Sequence, residues 1–191
     1  MKIAIIGNGN VGSGLAKSLA ATSHDVTAYG RDANLRAVVS DADLVILATP
    51  YGAAADLATK ADYAGKIVVD VSNPVTEDFS GLQVGHDRSA AEEIANAFSG
   101  AKVVKAFNTV FAQHYGDDLK LGGVPIQIFV ASDDEGAKQT VSALASEAGF
   151  DVVDAGPLKN ARYLEPLGYL NIQFGYVLGK GTEIAPRWQA A

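Results

Sequence analysis

Short apolar segments rich in β-branched residues alternate along the chain with longer segments whose apolar positions recur every three or four residues. The first kind is typical of buried strands, and the second of helices that pack one face on a sheet. The segments predicted as strands are 2–7, 25–29, 43–48, 66–71, 102–107, 125–131 and 150–155. Because they are apolar on both faces, they predict a parallel sheet that helices cover on its two sides.

The segments between these strands predict helices. Apolar residues at four-residue steps indicate a helix after the first strand: Val11, Leu15 and Leu19. Residues 89–98 open with a capping-box sequence, Ser89-x-x-Glu92, and the helical pattern of 135–148 ends at Gly149, a residue typical of helix ends. The order of elements therefore predicts an α/β fold of the Rossmann type, with a doubly wound and mainly parallel sheet.

We expect a single NAD(P)-binding Rossmann domain over residues 1–191. The chain has the length of one domain, and it shows neither an internal repeat nor a linker rich in Pro, Gly and Ser. Residues 157–191 are predicted to form a C-terminal helical segment with apolar side chains on more than one side. This segment would pack on the domain or on a partner subunit, and a homodimer is one arrangement that would bury it.

The composition narrows the class of partners. With 22 acidic and 15 basic residues, the net charge of −7 argues against general nucleic-acid binding and against binding to an anionic membrane. No apolar run approaches the roughly 18 residues that a membrane span needs, and a strand pattern starts directly after Met1, so we expect a cytoplasmic protein. Because Cys is absent, disulfides, thiol catalysis and cysteine-ligated zinc are excluded. Any bound anion must be held by local groups.

The sequence GNGNVG at 7–12 fits the pattern G-x-G-x-x-G, which by itself is a weak signal. Here it follows a predicted strand and opens a predicted helix, the context in which a pyrophosphate rests on helix amides. Gly7 would allow the tight turn, Gly9 the close approach of the backbone to the phosphates, and Gly12 the close packing of helix on strand. A plain tight turn is the alternative.

An arginine follows the second predicted strand, where many nucleotide-binding sheets have an acid. An acid at this place binds a ribose 2′-hydroxyl, whereas an arginine accommodates a 2′-phosphate through charge-assisted hydrogen bonds. The sequence Tyr29-Gly30-Arg31, followed by Arg36, therefore favours NADP over NAD. Asp32 leaves two alternatives open, because it could accept a hydrogen bond from a ribose or pair with Arg36. Both arginines could also be solvated surface residues.

Short polar residues follow three further predicted strands, at the edge where open α/β sheets bind ligands. They are Thr49-Pro50, Ser72-Asn73-Pro74 and Asn108-Thr109. Their side chains either contact the nicotinamide and its ribose or satisfy backbone groups of the loops.

No catalytic acid, base or metal ligand is predicted. His24, His86 and His114 are isolated from one another, and an isolated histidine is usually structural or solvated. Lys105 could be a strand-end charge or a proton donor. This shortage agrees with hydride exchange between a nicotinamide and a flavin-like ring, which depends on positioning and little on proton transfer from the protein.

Several segments together resemble the family of NADPH-dependent coenzyme F-420 reductases, also called F-420:NADP oxidoreductases, which includes the cytoplasmic domains of STEAP metalloreductases. These segments are MKIAIIGNGNVGSGLAKSLA, DADLVILATP, VVDVSNP, SAAEEIANAFSGAKVVKAFNT and DAGPLKNARYLEP. The resemblance implies hydride transfer between NADP(H) and a second substrate, either the deazaflavin coenzyme F-420 or a flavin such as FMN or FAD.

The resemblance also implies a set of cofactor-binding residues. The pyrophosphate would be held by the glycine loop: Gly7, Asn8, Gly9, Asn10, Val11 and Gly12. The 2′-phosphate would be held by Arg31 and Arg36. The ribose and nicotinamide would be lined by Thr49, Pro50, Asn73, Pro74, Ala106, Phe107 and Asn108.

Two other functions remain open from the residues alone. An imine reductase of the pyrroline-carboxylate reductase type would share the first domain, but it relies on a further helical domain, and only about one or two helices of sequence follow residue 156. A non-catalytic NADP-binding sensor or interaction module would keep the glycine loop and need no cavity for a second substrate.

Overall fold

The computed structural model describes residues 1–116 and 118–189. Its strands are β1 (Lys2–Ile6), β2 (Asp25–Tyr29), β3 (Leu44–Leu47), β4 (Ile67–Asp70), β5 (Lys102–Lys105), β6 (Lys120–Leu121), β7 (Val124–Pro125), β8 (Gln127–Ser132) and β9 (Asp151–Asp154). Its α-helices are α1 (Asn10–Leu19), α2 (Leu35–Asp41), α3 (Ala54–Lys60), α4 (Ala90–Ala97), α5 (Glu135–Ala148) and α6 (Ala161–Ile172), and a π-helical turn over Gln173–Val177 continues α6.

The main sheet has the strand order β2-β1-β3-β4-β5-β8-β9. β1 to β5 are parallel, β8 runs antiparallel to β5, and β9 is parallel to β8. Buried side chains of α1 and α5 pack on one face of the sheet, and those of α2, α3 and α4 on the other. The predicted Rossmann-type α/β fold is confirmed.

The strand order places a crevice between β1 and β3. The chain leaves β1 for α1 on one face of the sheet and leaves β3 for α3 on the opposite face. The two connections therefore diverge at the carboxyl ends of neighbouring strands, which is where open α/β sheets bind their ligands.

Local signals in the sequence mark several element ends correctly. Ser89 caps α4 by accepting a hydrogen bond from the amide of Glu92 (3.2 Å), and its hydroxyl donates to the Glu92 carboxylate (2.7 Å). Gly149 ends α5 with a φ of +109°, in the left-handed region that favours glycine. The small hairpin of β6 and β7 was not predicted, because strands of two residues are too short for an alternating pattern.

The C-terminal segment packs on the rest of the chain. Leu164 of α6 joins Phe129 and Ala131 of β8 in a small apolar cluster. After the π-helical turn the chain returns to the far edge of the sheet, where the amide of Trp188 donates to Gln127 Oε1 (2.5 Å). None of the described helices has the length and apolar character that crossing a membrane requires.

A buried ion network joins β4, β5 and α6. The ammonium group of Lys105 lies 2.8 Å from Asp70 Oδ2 and 2.9 Å from Glu165 Oε1, and it donates to the carbonyl of Ser72 at 2.5 Å. The three charged side chains are no more than 1% exposed. The Glu165 carboxylate also accepts the amides of Ala90 (2.9 Å) and Ala91 (3.1 Å) at the start of α4, where the helix dipole favours negative charge.

The opposite charges in this network shift one another's pKa values. Burial alone would lower the pKa of Lys105, but the carboxylates of Asp70 and Glu165 outweigh it and hold that pKa above its ordinary value. Burial raises the pKa of Glu165, against the opposing influence of Lys105 and of the α4 amides. Lys105 therefore stays charged and links α6 to the strand ends.

Replacing the central cation should destabilise the fold strongly. We expect Lys105→Met to lower the free energy of unfolding by about 3–5 kcal/mol, because it leaves two buried carboxylates without their partner. Lys2→Met is the matched control, since Lys2 pairs with Asp41 on the exposed surface and its loss should matter little. Urea unfolding of both variants measures the difference, and equal unfolding midpoints would contradict a stabilising role for the network.

Candidate functional site

Two adjoining cavities lie at the carboxyl ends of β1 and β3. The loop cavity, of about 620 Å³, is bounded by Gly7–Gly9, by Gly30 and Arg31 after β2, and by one side of α3. The aromatic cavity, of about 440 Å³, is bounded by the loops after β4 and β5, by α6 and by the π-helical turn. Gly9, Thr49 and Pro50 contribute to both cavities, so the two form one continuous cleft.

The three glycines of the loop have different surroundings. A Cβ on Gly7 would lie 2.3 Å from the carbonyl oxygen of Ala48, and one on Gly12 would lie 1.8 Å from that of Gly7. A Cβ on Gly9 would meet no atom within 4 Å. Gly7 and Gly12 are therefore required by packing of the protein itself, whereas Gly9 faces the open cleft.

The start of α1 is suited to an anion. The helix begins at Asn10 with no side-chain cap and no acidic residue in its first turn. Its first amides have no partner within the helix and lie at the positive end of the helix dipole. Together with the open space at Gly9, these groups fit the pyrophosphate of a dinucleotide.

Gly30 and Asn8 connect the glycine loop to the end of β2. A Cβ on Gly30 would lie 3.0 Å from Asn8 Nδ2, so the absence of a side chain makes room for Asn8. Arg31 follows directly and lines the loop cavity with its side chain exposed. Within residues 1–116 and 118–189, Arg31 forms no hydrogen bond or ion pair with a neighbour, so its guanidinium is available to a phosphate.

Arg36 borders a cavity next to the loop cavity. It shares this cavity with Lys66, while Lys60 at the end of α3 borders both this cavity and the loop cavity. Its pairing with Asp32, the alternative left open by the sequence, is not found in the described part of the chain. The assignment of Arg36 to the 2′-phosphate stays a prediction.

Lys60 is a cation of the loop cavity that the sequence reasoning missed. It pairs with Asp56 one turn earlier, at 2.5 Å. A basic residue in the last turn of the helix after β3 could have indicated it, but that helix was not predicted individually.

Asn73 and Asn108 bind each other across the ends of β4 and β5. Asn73 Nδ2 donates to the carbonyl of Asn108 (2.7 Å), and Asn108 Nδ2 donates to Asn73 Oδ1 (2.8 Å) and to the carbonyl of Leu164 (2.9 Å). Gly168 of α6 lies directly on this pair, since a Cβ there would be 2.7 Å from Asn73 Oδ1. Their amide nitrogens thus fix the loops and α6, which was one of the two roles considered for these residues.

Three buried polar atoms at the aromatic cavity have no hydrogen-bond partner in the part of the chain that the structure describes. They are Ser72 Oγ, Asn108 Oδ1 and Thr109 Oγ1, and all three residues line the cavity. Buried polar groups without partners are rare in proteins and costly. A nicotinamide carboxamide or ribose hydroxyl bound here could supply the missing partners, so the residues present fit that end of NADP(H).

The remaining predicted site residues divide into two groups. Phe107 lines the aromatic cavity and has a φ of +64°, a strained value for a residue with a side chain. Its carbonyl accepts the hydroxyl of Tyr115 (2.7 Å). Ala106 and Pro74 are buried and border neither cavity; their assignment stays a prediction.

No Asp, Glu, Lys, Arg or His is found among the described residues that line the aromatic cavity. Its ionisable groups are the phenols of Tyr115 and Tyr176, and burial raises the pKa of Tyr115. None of the three histidines borders either cavity, and Lys105 is enclosed in its ion network. The described lining is therefore uncharged and largely apolar, which suits a flat aromatic molecule.

The aromatic residues Phe79, Phe111 and Tyr176 of this cavity were missed by the sequence reasoning. They come from three segments that are distant in the chain, two of them outside regular helices and strands. No local motif marks them.

Comparison with known proteins identifies relatives along most of the chain. A family model described as NADP oxidoreductase, coenzyme F420-dependent, matches residues 2–38. A solved structure from Arthrobacter sp. FB24, described as a candidate F420-dependent NADP reductase, has 30% sequence identity and a TM-score of 0.85, and the match covers 96% of each chain. A hypothetical protein from Sinorhizobium meliloti has 32% identity and a TM-score of 0.72, with 83% of this chain and 86% of that chain covered.

Longer proteins also contain a similar region. Metalloreductase STEAP3 from Rattus norvegicus is 31% identical over 181 residues, which cover 87% of this chain but 36% of the relative. The chain thus spans about a third of the length of this curated relative. A pyrroline carboxylate reductase from Plasmodium falciparum with NADP bound, at 14% identity and a TM-score of 0.58, shares the fold alone.

A side chain on Gly9 should block the dinucleotide without harming the fold. We expect Gly9→Val to abolish measurable NADPH binding, because the valine would occupy the space in front of the α1 amides, where its Cβ would meet no protein atom within 4 Å. Gly12→Val is the contrasting variant and should fail to fold, since its Cβ would overlap the carbonyl of Gly7. Calorimetric titration and circular dichroism report the two properties, and wild-type affinity in Gly9→Val would contradict this placement of the pyrophosphate.

Arg31 should discriminate between the two nicotinamide dinucleotides. We expect Arg31→Ala to weaken NADPH binding by about 1.5–3 kcal/mol, roughly 10- to 150-fold, through loss of charge-assisted hydrogen bonds, and to leave NADH binding nearly unchanged. Arg36→Ala is the matched comparison and should have the smaller effect, because Arg36 borders the neighbouring cavity. Equal weakening of NADPH and NADH by Arg31→Ala would rule out a contact with the 2′-phosphate.

Proposed function

Because the chain belongs to the family of coenzyme F-420-dependent NADP oxidoreductases, we propose that it transfers a hydride between NADP(H) and a deazaflavin or flavin. Membership in this family makes the chain an NADP-dependent oxidoreductase. The proposal concerns the second substrate, which would be coenzyme F-420, FMN or FAD.

One observation carries the choice of this substrate class. The cleft continues from the glycine loop past Thr49 and Pro50 into a cavity whose described lining is aromatic, aliphatic or neutral polar. An isoalloxazine or deazaisoalloxazine ring is flat, aromatic and large enough to need such a space, and stacked aromatic contacts favour it. NADPH, when bound, supplies the hydride.

The residues of the cleft act mainly by positioning. The start of α1 and Arg31 would hold the phosphates, and Ser72 and Thr109 would hold the polar groups at the other end of the dinucleotide. The largely apolar lining would bring the two rings together, and correct placement of reactants alone contributes greatly to the rate. A hydride moves as a unit, so the step itself needs no protein acid or base, in agreement with the neutral lining.

The two other functions have less support. A reductase of imines must protonate the product nitrogen, and the ionisable groups in the described lining of the aromatic cavity are two phenols, of which that of Tyr115 already donates to the carbonyl of Phe107. A sensor that only binds NADP needs no second cavity beside Pro50. The open aromatic cavity favours an enzyme over a sensor.

The proposed partners and location follow the same reasoning. The exposed apolar side chains of the C-terminal segment, among them Leu170, Val177 and Leu178, fit a homodimer through this segment. Sedimentation equilibrium would show whether the chain forms it. The negative net charge fits a small-molecule enzyme of the cytoplasm better than a nucleic-acid or membrane partner.

The test of this function is a turnover measurement with defined second substrates. Purified protein is mixed with NADPH and, separately, with coenzyme F-420, FMN or FAD, and the nicotinamide absorbance is followed. We expect oxidation of NADPH with at least one of these and none in Gly9→Val. Tight binding of NADPH with no oxidation by any of the three would overturn the proposal and favour the sensor.

A further inference from the structure

Two aromatic side chains stand at the mouth of the aromatic cavity with much of their surface open to solvent. Phe79 is 58% exposed and Tyr176 is 66% exposed, and both line the cavity. They come from opposite parts of the chain, one from the loop after β4 and the other from the π-helical turn after α6. Large exposed aromatic residues beside a cavity are typical of ligand contacts.

The loop around Phe79 is built to hold this residue in place. Asp78 accepts hydrogen bonds from the hydroxyls of Thr76 and Ser80, both at 2.7 Å, and from the amide of Ser80 at 3.1 Å. Phe79 has a φ of +59°, a left-handed conformation that a phenylalanine adopts only under constraint. The loop thus keeps a strained backbone while leaving the ring outside the protein core.

The loop is also fastened to the C-terminal helix. The carbonyl of Phe79 accepts hydrogen bonds from the hydroxyl of Tyr169 (3.0 Å) and from Gln173 Nε2 (3.4 Å). Gln173 opens the π-helical turn that carries Tyr176. Hydrogen bonds therefore join the loop that carries Phe79 to the C-terminal helical segment that carries Tyr176.

Tyr176 is oriented by a second aromatic residue of the cavity. Its ring packs edge to face on Phe111, with centroids 5.4 Å apart and an angle of 83° between the planes. Gly175 allows this approach, because a Cβ there would lie 2.8 Å from the Phe111 ring. A π-helical turn at this point supplies the local change of direction, and such turns are frequent at functional sites.

We propose that Phe79 and Tyr176 are specificity-determining residues that contact the flat ring of the second substrate and do not contact NADP(H). This inference rests on the proposed function and deepens it. Neither residue borders the loop cavity, and both are largely exposed at the aromatic cavity, whereas Ser72 and Thr109, which would hold the nicotinamide end, are buried. Recognition of a planar ring would explain why a strained loop tip and a π-helical turn both present an aromatic side chain to the same cavity.

The test measures substrate and cofactor separately. We expect Phe79→Ala and Tyr176→Ala each to raise the KM for the second substrate about 3- to 10-fold, the range of an aromatic stacking contact, with unchanged dissociation constants for NADPH. Tyr163→Ala is the matched control, because Tyr163 is 72% exposed on α6 and borders neither cavity. It should behave as wild type.

A further variant separates recognition from stability. Phe79→Gly relieves the left-handed strain, so its melting temperature should equal or exceed that of wild type, while the KM for the second substrate still rises. A purely structural role would not raise KM in a more stable protein.

The outcomes distinguish this inference from the function on which it rests. Wild-type turnover with an unchanged KM in Phe79→Ala and Tyr176→Ala would overturn the inference alone. An equal weakening of NADPH binding in these variants would overturn it as well, because the residues would then serve the cofactor. Absence of turnover in wild type with coenzyme F-420, FMN and FAD would overturn the proposed function and the inference together.

Discussion

The buried contact between Lys105, Asp70 and Glu165 is the interaction on which the arrangement of the site depends. It fixes the ends of β4 and β5 to α6, and through the Glu165 carboxylate it also holds the start of α4. Removing such charges from water is costly, so the network stabilises the fold only as a complete set. With α6 fixed in this way, Gly168 lies on the pair of Asn73 and Asn108, and the π-helical turn reaches the mouth of the aromatic cavity.

The ion network also keeps the charge of Lys105 away from the aromatic cavity, where the hydride transfer is proposed to occur. Lys105 is in the strand next to the cleft, yet its ammonium group has all three of its hydrogen-bond partners inside the protein. The described lining of the aromatic cavity consequently carries no charged side chain, in a protein whose net charge is −7. Cationic groups lie instead around the loop cavity, where Arg31 and Lys60 face the region expected to hold phosphates.

Much of the fold and part of the candidate site could be predicted from the sequence. The strands of the main sheet have apolar patterns strong enough to be read one by one, and Ser89 and Gly149 mark helix ends through local hydrogen bonding and backbone conformation. The sequence alone does not separate Arg31 from Arg36, which follows it closely in the chain, although Arg31 borders the loop cavity and Arg36 a neighbouring one. Lys60, distant in sequence, borders the loop cavity because α3 packs beside β1 and β3.

The sequence by itself determined the glycine loop, because its requirements are local. Gly12 is fixed by its contact with the carbonyl of Gly7, and Gly7 has a φ of +113°, which favours glycine in this turn. The tertiary structure adds the close contact of Gly7 with Ala48 after β3, while Gly9 faces open space. Only the tertiary structure decided the aromatic cavity, since Phe79, Phe111 and Tyr176 meet through loops whose positions depend on α6 and on the buried ions beneath it. Backbone geometry repeats with a short period and leaves a pattern in the chain, whereas contacts between distant loops leave none.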